Sequence, residues 1–257
     1  MSLISVLEET PAFFISFITI IGLMVGSFLN VVIYRLPVMM KRSWLQQCAE
    51  LRDEPIAELP VFNLITPRSA CTQCGHKLSA LENIPVISYL FLRGRCSQCQ
   101  TRISLCYPLV ETVTALMSGF VAWHFGFGWL TVATLFFVWA LIALAVIDLN
   151  TQLLPDDITL PLLWAGLLVN MNNGFTDIHS AIIGAVAGYL SLWCIYWCFK
   201  LITGKEGMGY GDFKLLSAIG AWLGWSMLPL VILFSSLVGT AVGIGLIIAA
   251  RLNKNIP

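Results

Sequence analysis

Apolar runs of near-membrane length recur along this chain, and they leave it few ways to fold. The first is Ala12 to Ile33, and others lie near 106–125, 130–148, 154–170, 178–201, 213–225 and 227–250. Gly220, Gly224 and Pro229 interrupt what would otherwise be one long stretch, so the last two are read as separate spans. About 20 apolar residues of helix cross a bilayer core, which predicts an all-α polytopic membrane protein of about seven to eight transmembrane helices. Composition agrees: charged residues make up 11% of the chain, against about 25% in a soluble domain. The first run follows Glu8 and Glu9 rather than a basic segment, and no small-residue cleavage site comes after it. It reads as a retained helix, not a signal peptide. Zero formal net charge and the lack of any Lys/Arg-rich tract exclude a nucleic-acid partner.

Basic residues orient the spans. Nine of the fourteen fall within 35–104, and the others are Lys200, Lys205, Lys214, Arg251 and Lys254. With seven spans and the N-terminus outside, all fourteen face the cytoplasm, while the loops at 124–129 and 171–177 carry none. The loop 35–104 and the C-terminus are thus expected to be cytoplasmic. The domains follow: 1–34 as the first transmembrane helix, 35–104 as a loop domain, and 105–257 as the remaining membrane domain.

Within the loop, Cys71-Thr-Gln-Cys74 and Cys96-Ser-Gln-Cys99 form two CxxC pairs. Their spacer slightly exceeds the usual length of about fifteen to twenty residues. Two such knuckles present four thiolates tetrahedrally to zinc, and Gly75 suits the first knuckle's tight turn. A disulfide is disfavoured in a reducing compartment; a redox-active CxxC is the other alternative, but two pairs flanking one polar stretch fit a structural ribbon better. Four protein ligands leave no open position, so one structural zinc is expected to fold a zinc-ribbon-like loop rather than catalyse. Cys48, Cys106, Cys194 and Cys198 have no partner at metal spacing.

Asp148, in AVIDLNTQLLPD, and Asp212, in GMGYGDFK, sit at the ends of apolar runs. A carboxylate beside hydrocarbon is costly and marks a functional site. In the seven-span topology both acids fall at the inner leaflet, where a pair sharing one proton can activate water as aspartic proteases do. Gly207, Gly209 and Gly211 leave the loop before Asp212 bare on one side, suited to lying along an extended peptide. Asp156 and Asp157 read as ordinary N-terminal helix acids, and Lys205, Glu206 and Lys214 as solvated loop charges.

Several motifs together resemble the bacterial type IV prepilin peptidases over nearly the full length. They are GSFLNVVIYRLP (26–37), the paired CxxC motifs, ENIPVISYLFLRGRC (82–96), ISLCYPLVE (103–111), IDLNTQLLPD (147–156) and GYGDFK (209–214). The resemblance implies a GxGD-type intramembrane aspartic protease with Asp148 and Asp212 catalytic and Gly209 and Gly211 in its motif. It implies zinc-type cysteines at Cys71, Cys74, Cys96 and Cys99. It further implies cleavage of prepilin and pseudopilin leaders in the bacterial inner membrane, then methylation of the new N-terminal residue, typically Phe, from S-adenosylmethionine. Glu82 and Gly94 match positions linked to that methylation. The family is usually drawn with eight spans. Two other classes compete: a transporter whose intramembrane acids carry protons or ions, and a structural scaffold docked through its zinc loop.

Overall fold

A computed structural model describes residues 3–55, 60–79 and 81–254, with side chains between Val6 and Gly245. The side chains of Arg251 and Lys254, which entered the topology, lie outside the described residues. Nine helices are present among the described residues: α1 (Leu3–Glu9), α2 (Pro11–Leu51), α3 (Ile87–Phe91), α4 (Cys106–Phe125), α5 (Trp129–Thr151), α6 (Asp156–Met171), α7 (Ile178–Thr203), α8 (Tyr210–Leu223) and α9 (Leu228–Lys254). Every apolar run is helical, and no β-strand forms among the described residues. Four helical segments are long and apolar enough to cross a membrane: Pro11–Leu51, Trp129–Thr151, Ile178–Thr203 and Trp225–Gly245. Large apolar side chains such as Met24, Phe120, Val132, Ile183, Phe234 and Val238 stand exposed on these and the neighbouring helices, as on a surface that faces lipid rather than water.

The sequence places the end of the first helix near Ile33, yet α2 continues to Leu51. Its 41 residues span about 62 Å, twice a bilayer core. Hydropathy stops where lipid compatibility stops, but Met39–Leu51 is rich in good helix formers and extends the helix through polar residues.

The chain divides into two compact units, one ending at Pro155 and the other starting at Asp156. In the first, α2 packs closely on α4 because small residues let the backbones approach. A Cβ at Gly22 would lie 2.5 Å from Ser118 Oγ, and one at Gly26 would lie 2.7 Å from Glu111 Cα. Trp139 of α5 donates from Nε1 to Ser118 Oγ at 2.9 Å, joining the third helix. Leu7, Phe14, Ile18, Val121, Ala122 and Leu135 form an apolar cluster at the other end.

In the second unit α8 is the centre, packed by α6 and α7. It has only 14 residues, about 21 Å, and buries Phe213, Leu216, Ala218, Ala221 and Trp222. Trp222 donates from Nε1 to Leu162 O at 2.8 Å, and Asn170 donates to Ala221 O at 2.7 Å and Trp222 O at 3.0 Å. The two Asn170 bonds satisfy C-terminal carbonyls that a short helix would otherwise leave bare. Against α7, Gly184 and Gly220 meet backbone to backbone, and a Cβ at Gly188 would stand 2.6 Å from Leu216 O. Backbone cannot yield as a flexible side chain can. Gly184→Ala should therefore destabilise this unit by about 1–3 kcal/mol. Gly239→Ala, where a new Cβ meets nothing, should be neutral or slightly stabilising. Thermal unfolding in detergent, followed by circular dichroism, separates the two; equal midpoints would contradict the close contact.

Candidate metal ribbon and active-site acids

The two CxxC segments fold as matching knuckles. Cys71 N–H donates to His76 O at 2.8 Å and Gly75 N–H to Cys71 O at 3.0 Å. In the second knuckle Cys96 N–H donates to Thr101 O at 2.9 Å and Gln100 N–H to Cys96 O at 3.1 Å. Isolated bridges Ala70–Lys77 and Arg95–Arg102 close them. Gly75 (φ 71°) and Gln100 (φ 58°) occupy equivalent left-handed positions; glycine takes that conformation freely, and Gln100 bears the strain of the same turn.

The four sulfurs converge, all within 4.8 Å of one another. Cys71 Sγ lies 3.7 Å from Cys99 Sγ, and Cys74 Sγ lies 3.9 Å from Cys96 Sγ. Zn–S bonds of about 2.3 Å in a tetrahedron place sulfurs about 3.8 Å apart, so the donor set fits zinc. The thiols also titrate apart. The Thr101 hydroxyl and N–H pull Cys99 down to about 6. At Cys74 the His76 N–H pulls down, but burial and the neighbouring thiols together push it up to about 11. A dication removes that conflict by holding every sulfur as thiolate.

Glu82 joins the knuckles. It accepts a hydrogen bond from the Ser97 hydroxyl of the second and one from Ser79 N–H at 2.8 Å, and it faces His76 Nε2 of the first at 3.2 Å. The Ser97 hydroxyl foremost, then Ser79 and His76, hold its carboxyl down at about 2, which makes it a poor proton acceptor at neutral pH. Gly94 (φ 67°) packs under the Tyr89 ring, whose hydroxyl would meet any Cβ. Both residues build the ribbon.

Glu111 is the residue that the sequence reading missed. It is buried on α4, accepts Val86 N–H at 2.7 Å on Oε2 and faces Asn30 Nδ2 at 3.4 Å. Asn30 Nδ2 also donates to Tyr107 O at 3.1 Å. Val86 has φ 58°, a strained state for a β-branched residue that costs about 1–3 kcal/mol and persists only where surroundings hold it. The cost of a carboxylate beside hydrocarbon, which flagged Asp148 at the end of its apolar run, applies equally to Glu111 within one. Arg35, buried at the end of the apolar part of α2, donates to Asn63 O at 2.9 Å and Pro67 O at 2.6 Å and fastens the start of the ribbon.

Asp148 lies exposed in the last turn of α5, in the first unit. Asp212 is the third residue of α8, in the second, with its N–H donating to Gly209 O at 3.3 Å. Gly209 caps α8 in extended conformation and Gly211 falls in its first turn. The loop before α8 is tied down rather than loose. Lys200 donates to Glu206 Oε1 at 2.9 Å and to Tyr196 OH at 3.2 Å, and Lys200 in turn holds the Glu206 carboxyl below its usual range. Lys214 donates to both Asp156 oxygens, at 2.8 and 2.7 Å, bracing α8 on α6. Glu206 and Lys214 are thus paired, where spacing alone suggested solvated charges.

A polytopic helical protein with a four-cysteine ribbon and acids at helix ends defines a narrow class, and sequence comparison gives it a family. Residues 20–125 match the bacterial peptidase A24 N-terminal domain, and residues 135–244 match the type IV leader peptidase family. A prepilin leader peptidase/N-methyltransferase of Aeromonas hydrophila is 54% identical over 99% of this chain and 89% of its own length. One from Pseudomonas aeruginosa is 54% identical over 95% of this chain and 84% of its own. One from Burkholderia pseudomallei is 52% identical over 90% and 75%. No solved structure matches. The chain belongs to the type IV leader peptidase family.

Proposed function

We propose that the protein removes the leader from type IV prepilins and type II secretion pseudopilins at the cytoplasmic face of the inner membrane, and then methylates the new N-terminal residue. Full-length identity above half to relatives named for both activities carries this reading; those names speak against the transporter alternative. The charge distribution supports seven spans with a periplasmic N-terminus and a cytoplasmic ribbon. A prepilin inserted with its basic leader in the cytoplasm then presents its scissile bond at the inner leaflet.

Asp148 and Asp212 are the proposed dyad. One ionised carboxylate takes a proton from water while the protonated partner donates to the scissile carbonyl, so hydrolysis needs no acyl-enzyme. The bare edge at Gly209 and Gly211 suits a substrate strand laid beside Asp212. Cys71, Cys74, Cys96 and Cys99 would hold one structural zinc, which supplies folding energy to the ribbon and no open coordination site.

S-adenosylmethionine is the proposed methyl donor. The groove of about 280 Å³ at α3 is lined by Leu81, Glu82, Ile84, Ile87, Phe91 and Leu92 with Ser88. Its polar lining is the Glu82 carboxylate and the Ser88 hydroxyl, with no cation to meet the donor's own carboxylate, so the groove does not fit a zwitterionic adenosyl donor. Glu82 and Gly94 therefore support methylation as positioning residues that shape the ribbon.

Purified protein in detergent, incubated with a prepilin and methyl-labelled donor, should shorten the substrate and label its new N-terminus. An uncut substrate would overturn the peptidase assignment, and a cut but unlabelled one the methyltransferase assignment.

A further inference from the structure

The ribbon contains a surface that water does not suit. Leu81, Ile87, Leu90 and Phe91 are 76%, 49%, 68% and 85% exposed, all within the 3-10 turn Leu81–Asn83 and the short helix α3. They flank the apolar groove described above. The segment around them is basic: residues 60–105 carry Arg68, Lys77, Arg93, Arg95 and Arg102 against Glu82 alone. It stays positive even after four thiolates and one dication are counted. Arg93, Arg95 and Arg102 are exposed and form no ion pair among the described residues.

Two contacts give this surface a depth. Val86, the residue before α3, is held by Glu111, five residues inside the N-terminus of α4 at Cys106, about 8 Å along the axis. Asn30, on the other side of the same contact, lies five residues inside Arg35, the first basic residue after the apolar part of α2. The contact that holds Val86 thus lies about 8 Å along the axis from Cys106 on α4 and from Arg35 on α2, inside the apolar part of both helices. An interfacial helix rests its apolar face about 5–10 Å into the headgroup and acyl boundary.

We propose that residues 81–91 form an in-plane membrane anchor. Ile87, Leu90 and Phe91 dip into the acyl region of the inner leaflet, and Arg93 and Arg95 meet anionic headgroups. The Glu111–Val86 bond fixes the anchor at that depth, which is what keeps Val86 in its strained conformation. Through Glu82, on the same short segment, the anchor sets where the metal ribbon stands relative to the bilayer surface. Lipid is the favoured occupant because the patch adjoins helices already in the membrane and carries positive charge that a basic leader would avoid.

A benzophenone-bearing amino acid placed singly at Leu90, Phe91 or Gln98 of the full chain tests this in nanodiscs of phosphatidylcholine and phosphatidylglycerol. All three positions are exposed, and the zinc content of each variant checks that the ribbon, above all the knuckle around Gln98, is intact. After irradiation, intact mass should show lipid adducts at positions 90 and 91 about tenfold above those at 98, as immersion against water contact implies. Equal lipid yields at the three positions would overturn the proposal. Cross-links from position 91 to this chain or to a second copy, in place of lipid, would overturn it as well and assign the patch to a protein contact.

Discussion

Replacing Asp148 or Asp212 with asparagine should each reduce prepilin cleavage by at least about 10²–10⁴-fold, the usual contribution of a positioned acid or base. Asparagine preserves size, so the loss reports chemistry rather than packing. Folding should survive both changes. Asp148 is exposed, and Asp212 in the first turn of α8 contributes about 0.3–1 kcal/mol through the helix dipole. Asp157→Asn is the control: it alters another exposed acid in the first turn of a helix and should leave cleavage intact. Methylation of a substrate already lacking its leader should persist in both active-site variants, because their carboxylates lie outside the ribbon. If either variant cleaves at the wild-type rate, the dyad is wrong, whatever the other does. A bell-shaped wild-type pH profile would be the positive signature of a pair holding one proton, its two limbs belonging to the pair rather than to either acid.

Serine at Cys71, Cys74, Cys96 and Cys99 should bring bound zinc from one per chain to none and open residues 60–105 to protease. Structural zinc supplies about 10–16 kcal/mol of apparent binding energy to small metal folds, far more than a ribbon with no strands and little buried apolar surface can replace. The knuckles would lose the geometry that lets Glu82 bridge Ser97 and His76. Methylation should fall with the ribbon, whereas leader cleavage should stay within a few-fold of wild type because Asp148 sits on α5 and Asp212 on α8. Metal analysis by inductively coupled plasma, limited proteolysis and the two activity assays separate these outcomes. Full methylation by a metal-free protein would remove zinc from the account.

The particular residues show why some features were legible and others were not. The helices at 106–125, 130–148 and 178–201 announced themselves through hydropathy, which is a property of each run taken alone. The α2 extension to Leu51 did not, because hydropathy says nothing of a helix that continues into water. The CxxC pairs were readable because metal geometry restricts spacing. Glu206 and Lys214 looked solvated because their partners, Lys200 and Asp156, are fixed by a loop and by helix packing rather than by sequence distance. Glu111 went unnoticed in an apolar run although its burial, its bond to Val86 and its nearness to Asn30 organise the join between ribbon and helices.

The amino-acid order alone determined the all-helical class, the family motifs and the four-cysteine set, since each depends on local composition or short spacing. Tertiary structure alone decided that Gly184 and Gly220 meet, that Glu82 ties two knuckles together, and that Val86 bonds to Glu111. The physical reason is the range of the interactions. A thiolate knuckle or an apolar span is built within a few residues, but a buried carboxylate finds its partners only when distant segments pack.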